Sequence, residues 1–178
     1  ASVGDKDAQL IIASNAGGQT VSLAGIGETP PPPTSDEEVI FTAEDASVPT
    51  GGEVTVDVTV ENFTDVTGTQ FSLDWDASLL ELTSVSPGDL TGITGGDVPN
   101  LGPVFAMPSA GTLAFAWDDP DATGKTLSDD AVIFSLTFDA VGEGDNSANV
   151  SFSDNPTDQL IFVDFAEAVF TAQDGTVD

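Results

Sequence analysis

The sequence predicts an all-β chain dominated by one antiparallel β-sandwich, and three observations carry that prediction. From Val39 onward, apolar and polar residues alternate with period 2, and turn clusters break the runs at short intervals. Val, Thr, Phe, Ile and Leu are plentiful and 18 Gly punctuate them, a mixture suited to short strands and tight turns. No segment sustains helical periodicity. With 178 residues there is room for one medium domain and a small appendage.

The first element is a strand over residues 8–13, with Leu10 and Ile12 on one face. A turn containing Asn15, Gly17 and Gly18 follows, then a strand over 19–24 with Val21 and Leu23 on one face. Residues 1–27 are therefore a strand extension, too short for a core of its own. Residues 28–38 form a linker around four consecutive prolines, Pro30 to Pro33. Prolines favour an extended polyproline path of about 3 Å per residue, so this spacer reaches roughly 30 Å, far enough to touch a neighbouring molecule.

Residues 39–178 form the main domain. Val54, Val56, Val58 and Val60 alternate strictly on one face. Phe71, Leu73 and Trp75 mark a strand over 70–75, and a strand over 80–85 follows after a single turn at 76–80. Leu113, Phe115 and Trp117 share a face, as do Val132, Phe134, Leu136 and Phe138. Short strands over 150–152, 160–163 and 169–171 close the domain. Trp75 and Trp117 are in phase with Leu73 and Phe115, which makes them core residues rather than sugar-stacking platforms.

Composition narrows the function classes. There are 31 acidic residues against two Lys, with no Arg and no His, giving a net charge of −29. That charge repels phosphate backbones and anionic membrane surfaces, so nucleic-acid binding is excluded. It suits an acidic, solvated surface in salt, where screening relieves self-repulsion. No apolar run is long enough to span a membrane. A start at Ala1 is what a processed mature protein shows, and a trimmed fragment would look the same. The absence of Cys and His removes disulfides, triads and the usual zinc, copper and haem ligand sets. A paired-carboxylate glycosidase finds no specific signal among so many acids, so the chain reads as non-enzymatic. Any metal must be hard and oxygen-bound.

The densest acidic stretch offers such a site. Counting from Asp119, oxygen side chains fall at positions 1, 3 and 5 (Asp119, Asp121, Thr123), Gly124 at position 6 and Asp130 at position 12. That is the spacing of a calcium loop, in which glycine permits the sharp turn and the last carboxylate closes the shell. The departures are Thr123 at position 5 and an Asp instead of Glu at position 12, and the flanks are strands. A plain polar hairpin loop is the competing reading. Asp74 with Asp76, and Asp154 with Asn155 and Asp158, are weaker candidates.

Two stretches resemble known families. Phe71 to Leu82 with Val85-Ser86-Pro87-Gly88, the opening Val48 to Val58 with Asn62-Phe63, and the later runs Gly111 to Asp118 and Asp129 to Phe138 resemble the cohesin domain over about residues 39–177. The resemblance implies a nine-stranded jelly-roll sandwich that binds dockerin modules through one sheet face. On the strand where that pattern offers Asn and Asp, this chain has Gly68 and Gln70. The first 27 residues resemble the closing hairpin of immunoglobulin-like repeats in large bacterial surface proteins.

Two functional expectations follow. In the first, the chain is a subunit of an extracellular filament or surface polymer. Leu10, Ile12, Val21 and Leu23 then join each copy to the next by strand addition, with calcium as a possible stabiliser. In the second, it is a cohesin-type module that captures a dockerin-bearing partner, with carbohydrate adhesion as a variant. Both imply a secreted or cell-surface location in a saline medium.

Overall fold

The structure is a computed structural model and describes residues 4–12, 19–27, 38–142 and 147–178. The chain divides into two compact units, Ala1–Pro32 and Pro33–Asp178. In the first, β1 (Gly4–Ile12) and β2 (Gln19–Gly27) form an antiparallel two-stranded sheet. Its register sets Leu10 opposite Val21, Ala8 opposite Leu23 and Ile12 opposite Gln19. The four predicted interaction positions thus occupy rungs of one parity. Their side-chain contacts, and the linker up to Glu37, lie outside the described residues.

The second unit is the sandwich. One sheet contains β3 (Glu38–Ala43), β4 (Glu53–Glu61), β6 (Leu80–Pro87), β7 (Gly96–Asp97), β10 (Ala131–Ala140) and β14 (Val169–Gln173), in the order β14-β3-β4-β10-β6-β7. The other is centred on β5 (Val66–Trp75). On one side β5 pairs with β9 (Thr112–Asp118), and β9 pairs in turn with β8 (Phe105–Ser109). Its other side is shared by two shorter ribbons. One is β11 (Ala148–Ser153) with β15 (Gly175–Val177), and the other is β12 (Leu160–Val163) with β13 (Ala166–Glu167). Every ladder between these strands is antiparallel except β14 against β3, which is parallel.

The apolar parity of each strand faces inward. Val54, Val56, Val58 and Val60 are all buried, as are Phe71, Leu73, Trp75, Leu113, Phe115 and Trp117. The Phe71 ring lies 5.1 Å from Phe115 and 5.1 Å from Phe152 within its own sheet, and stacks across the core at 6.2 Å on Phe134 of the other sheet. Truncating Phe71 to alanine would cost about 3–5 kcal/mol. Both indoles are satisfied inside: Trp75 Nε1 donates to the Leu80 carbonyl (3.0 Å) and Trp117 Nε1 to the Thr91 carbonyl (2.8 Å). The expected turn after Trp75 is present, with Leu79 and Leu80 N–H donating to the Asp76 carbonyl.

One expected face needs correction. The β10 register slips between Val132 and Phe134, so Ile133 is an extra residue in the strand. Ile133 and Phe134 are both fully buried while Val132 is only half-buried, because the bulge shifts the parity. The edges are protected. Pro108 cannot donate from edge strand β8, and β7 is two residues long.

With so few cations, surface carboxylates take hydroxyl and amide partners. Asp57 accepts from Ser135 Oγ (2.6 Å) directly across the β4–β10 ladder, and Glu44 from Thr59 Oγ1 (2.9 Å). Asp45 accepts the Thr176 N–H (2.8 Å) and Asp174 the Phe152 N–H (2.8 Å).

Candidate functional site

The candidate site is the outer face of the sheet built on β5, the face that carries Gly68 and Gln70. Inward Phe71, Leu73 and Trp75 force Gln70, Ser72 and Asp74 outward by the pleat. The register places Ala116 beside Gln70, and lines up Ala106, Ala114 and Ser72 across three strands. Of these, Ala106, Ala114 and Ala116 are at least partly exposed and carry short side chains, so another backbone can approach them closely. Gly68 lies opposite Asp118, and a Cβ there would meet the Asp118 carboxylate at 2.9 Å. A larger residue at this position would require the Asp118 carboxylate to swing aside.

A flap borders the patch. Residues 154–159 connect β11 to β12, and both of those strands pair with β5. Thr157 N–H donates to Ser72 Oγ (3.0 Å), and Gln70 Nε2 donates to the Asp158 carbonyl (3.2 Å). Gln159 N–H donates to Asp154 Oδ1 (2.9 Å), which closes the flap on itself. Ser72 is fully buried beneath it although its side chain points outward. Beyond the flap, Leu160 and Phe162 alternate outward and half-buried along β12. Sequence reasoning does not reveal the flap, whose acids read only as a weak metal candidate.

The β12–β13 ribbon ends in a two-residue turn, Asp164 and Phe165, between the paired Val163 and Ala166. Both residues have positive φ, 49° and 63°. This is the turn type that normally takes Asn-Gly, because only small or locally hydrogen-bonding residues enter that region cheaply. Phe165 does so while 69% exposed. The tip is bolted down: Phe165 N–H donates to Thr67 Oγ1 (3.2 Å), Thr67 Oγ1 donates to the Phe162 carbonyl (3.3 Å), and Asp164 N–H donates to the Asp65 carbonyl (3.1 Å). Sequence reasoning missed this tip, since nothing in Asp164-Phe165 advertises a tight turn.

The predicted calcium loop has a different construction. The Asp119 side chain is fully enclosed. Its Oδ1 accepts the Asp121 N–H (3.2 Å), and its Oδ2 accepts the N–H groups of Thr123 (2.8 Å) and Gly124 (3.0 Å). Lys125 Nζ lies 3.4 Å from Asp119 Oδ1 and 2.8 Å from Asp121 Oδ2. Burial alone would push the Asp119 carboxyl up, but the Thr123 and Asp121 amides and the Lys125 ammonium together hold it below its ordinary value. Hydrogen bonding to Asp121 raises the Lys125 ammonium against burial, and the Asp119 and Asp121 charges add to that. Gly124 has φ 79°, the sharp turn its position in the spacing required.

The structure brings Asp119 and Asp121 together around Lys125, with Thr123 contributing its amide. Asp130 is not brought to them. From Lys125 the chain runs back along the segment before β5, with Lys125 paired to Val66, Leu127 N–H on the Phe63 carbonyl and Asp130 N–H on the Val60 carbonyl. Asp130 itself sits in a separate turn at residues 129–130, with φ 64°. Among the described residues, no three carboxylates gather at a spacing that could hold a metal ion. Asp76, of the weaker pair, accepts the Ser78 hydroxyl (2.6 Å) and N–H (2.8 Å), bonds that hold its carboxyl below the ordinary value as a turn cap.

The family model of the cohesin domain matches residues 39–176. Among solved structures, the sixth cohesin of scaffoldin B from Acetivibrio cellulolyticus, in complex with a Cel5 dockerin, is 19% identical. That match covers 79% of this chain and 98% of that one with a TM-score of 0.64. CaCohA2 from Clostridium acetobutylicum is 18% identical over 82% of this chain and 92% of that one, TM-score 0.64. A non-cellulosomal cohesin from the hyperthermophilic archaeon Archaeoglobus fulgidus is 20% identical over 79% and 89%, TM-score 0.60. Nothing among curated proteins matches.

Proposed function

The chain belongs to the cohesin domain family, and on that premise we propose that it is a non-enzymatic extracellular module that captures a dockerin-bearing partner on the outer face of the β5-centred sheet. The observation that carries this reading is the family match over residues 39–176, which takes in both sheets. The Acetivibrio cellulolyticus relative is a cohesin solved with a dockerin in place. Here the face offers a centre of short side chains at Ala106, Ala114 and Ala116, with Gln70 beside it. The reading implies a secreted or cell-surface protein, and the net charge of −29 suits a saline medium. No helix among the described residues is long and apolar enough to cross a membrane.

The test is calorimetric titration of the full chain with a panel of isolated dockerin modules. Micromolar or tighter capture by the wild type, lost in Ala116→Arg with an unchanged Tm, supports the reading. If no dockerin binds the wild type, capture is wrong. If Ala116→Arg binds as well as the wild type, the face is wrong.

A second reading rests on the first unit. Its β1–β2 sheet has no third strand among the described residues, and a two-stranded sheet is marginal alone in water. We propose that it completes itself against another copy of the chain by strand addition, with Leu10, Ile12, Val21 and Leu23 as the alternating apolar set. Electron microscopy of the purified chain would then show fibres that vanish when residues 1–27 are deleted. Single particles for the full chain, or fibres that persist after deletion, would remove this reading.

A further inference from the structure

We propose that Phe165 is the anchor residue of the partner contact: a preorganised aromatic on the β12–β13 tip that inserts into an apolar pocket rimmed by Lys or Arg on the captured module. The inference rests on the capture reading above and names a residue and a partner chemistry within it.

Four observations converge on Phe165. It is the most exposed large apolar residue among those described, at 69%, and it joins none of the described ring contacts. It holds a φ of 63°, which a bulky side chain adopts only where surrounding structure imposes it. A glycine would be the cheaper choice for folding. The position is therefore strained while most of the ring stays in solvent and no other described ring packs on it, a pattern that marks function rather than stability.

The tip is also rigid. The buried Thr67 hydroxyl ties its two ends together by accepting from Phe165 N–H and donating to the Phe162 carbonyl. A tip whose backbone is already fixed loses little main-chain freedom on binding, which is what an anchor requires. Phe165 finally continues the proposed face, because half-exposed Phe162 lies on the same ribbon beside Gly68, next to the short-side-chain centre.

Charge defines the partner. Phe165 is flanked by exposed Asp164, Asp65 and Glu167, with no cation among them, on a chain of net charge −29. A second copy would bring acids against acids. A module with a basic rim around an apolar pocket gains on both counts.

The experiment compares the wild type, Phe165→Gly and Phe165→Leu in titrations with the dockerin panel, alongside thermal melts and sedimentation velocity. The expected result is that Phe165→Gly raises Tm, because the strain is relieved, while it weakens capture at least ~30-fold. Phe165→Leu keeps part of the affinity. A dockerin that binds Phe165→Gly as tightly as the wild type overturns the anchor and leaves capture standing. Failure of every dockerin to bind the wild type removes capture and the anchor with it. A fall in Tm for Phe165→Gly assigns the ring a structural role and overturns the proposal. Self-association of the wild type that disappears in Phe165→Gly overturns it too, with a second copy as the true occupant.

Discussion

Two turns flank the start of β5, and they treat their central side chains in opposite ways. The 119–125 turn closes on itself: three backbone amides and one ammonium converge on the enclosed Asp119 carboxylate. The Asp164–Phe165 turn faces out, with its backbone fixed by Thr67 and Asp65 and its ring left in solvent. Both contain residues at positive φ, and both are pinned to residues 65–67. The contrast separates strain that supports the fold from strain that the fold merely tolerates. In the first turn every unusual feature has an internal partner. In the second the ring has no aromatic partner among the described residues.

The largest effect that tests this contrast is Asp119→Ala. It strips the acceptor from the Asp121, Thr123 and Gly124 amides and leaves Lys125 with Asp121 alone, so Tm should fall clearly in thermal melts, and by more than for Asp121→Ala. An equal response would mean that the enclosed carboxylate is not the organising group. The same side chain sets an acid limit. Because its folded pKa lies below the usual 3.8, its contribution is complete above that value and is lost as pH falls through the folded one. Below about pH 4 the wild-type Tm should therefore decline more steeply than that of Asp119→Ala.

Gly124→Ala comes next. It combines φ 79° with a Cβ placed 2.9 Å from the Asp65 backbone, and should cost about 1–3 kcal/mol by chemical denaturation. Phe165→Gly has the opposite sign, a gain of about 1–2 kcal/mol, and a loss there would erase the distinction between the turns. The smallest effect belongs to Asp130→Asn, expected within about 0.5 kcal/mol of wild type with or without a calcium chelator. A chelator-dependent drop in Tm that this variant abolishes would instead place calcium at this loop.

The sandwich is legible in the sequence wherever one face is buried and the strand is regular. Val54 to Val60, Phe71 to Trp75 and Leu113 to Trp117 announce themselves because period 2 is enforced by the core. Strand β8 is not legible, since Pro108 interrupts it and only Phe105 of its residues is buried. The β10 bulge is hidden because Val132 and Ile133 are equally apolar, and only the ladder shows which one is extra. At the acidic loop, spacing locates the sharp turn at Gly124 but not the direction of the carboxylate. Lys125, inside the motif, supplies the cation, and pairing with residues 60–66 carries Asp130 away. Phe165 is invisible because a tight turn without Gly or Asn has no compositional signature.

The pairing of carboxylates with hydroxyls and amides has an environmental consequence. Ion pairs of Lys125 are the ones present among the described residues. Added salt therefore finds almost no attraction to weaken and a great deal of repulsion to damp. A domain built this way should gain melting temperature steadily from dilute buffer to brine, and desalting should act on it as a denaturant.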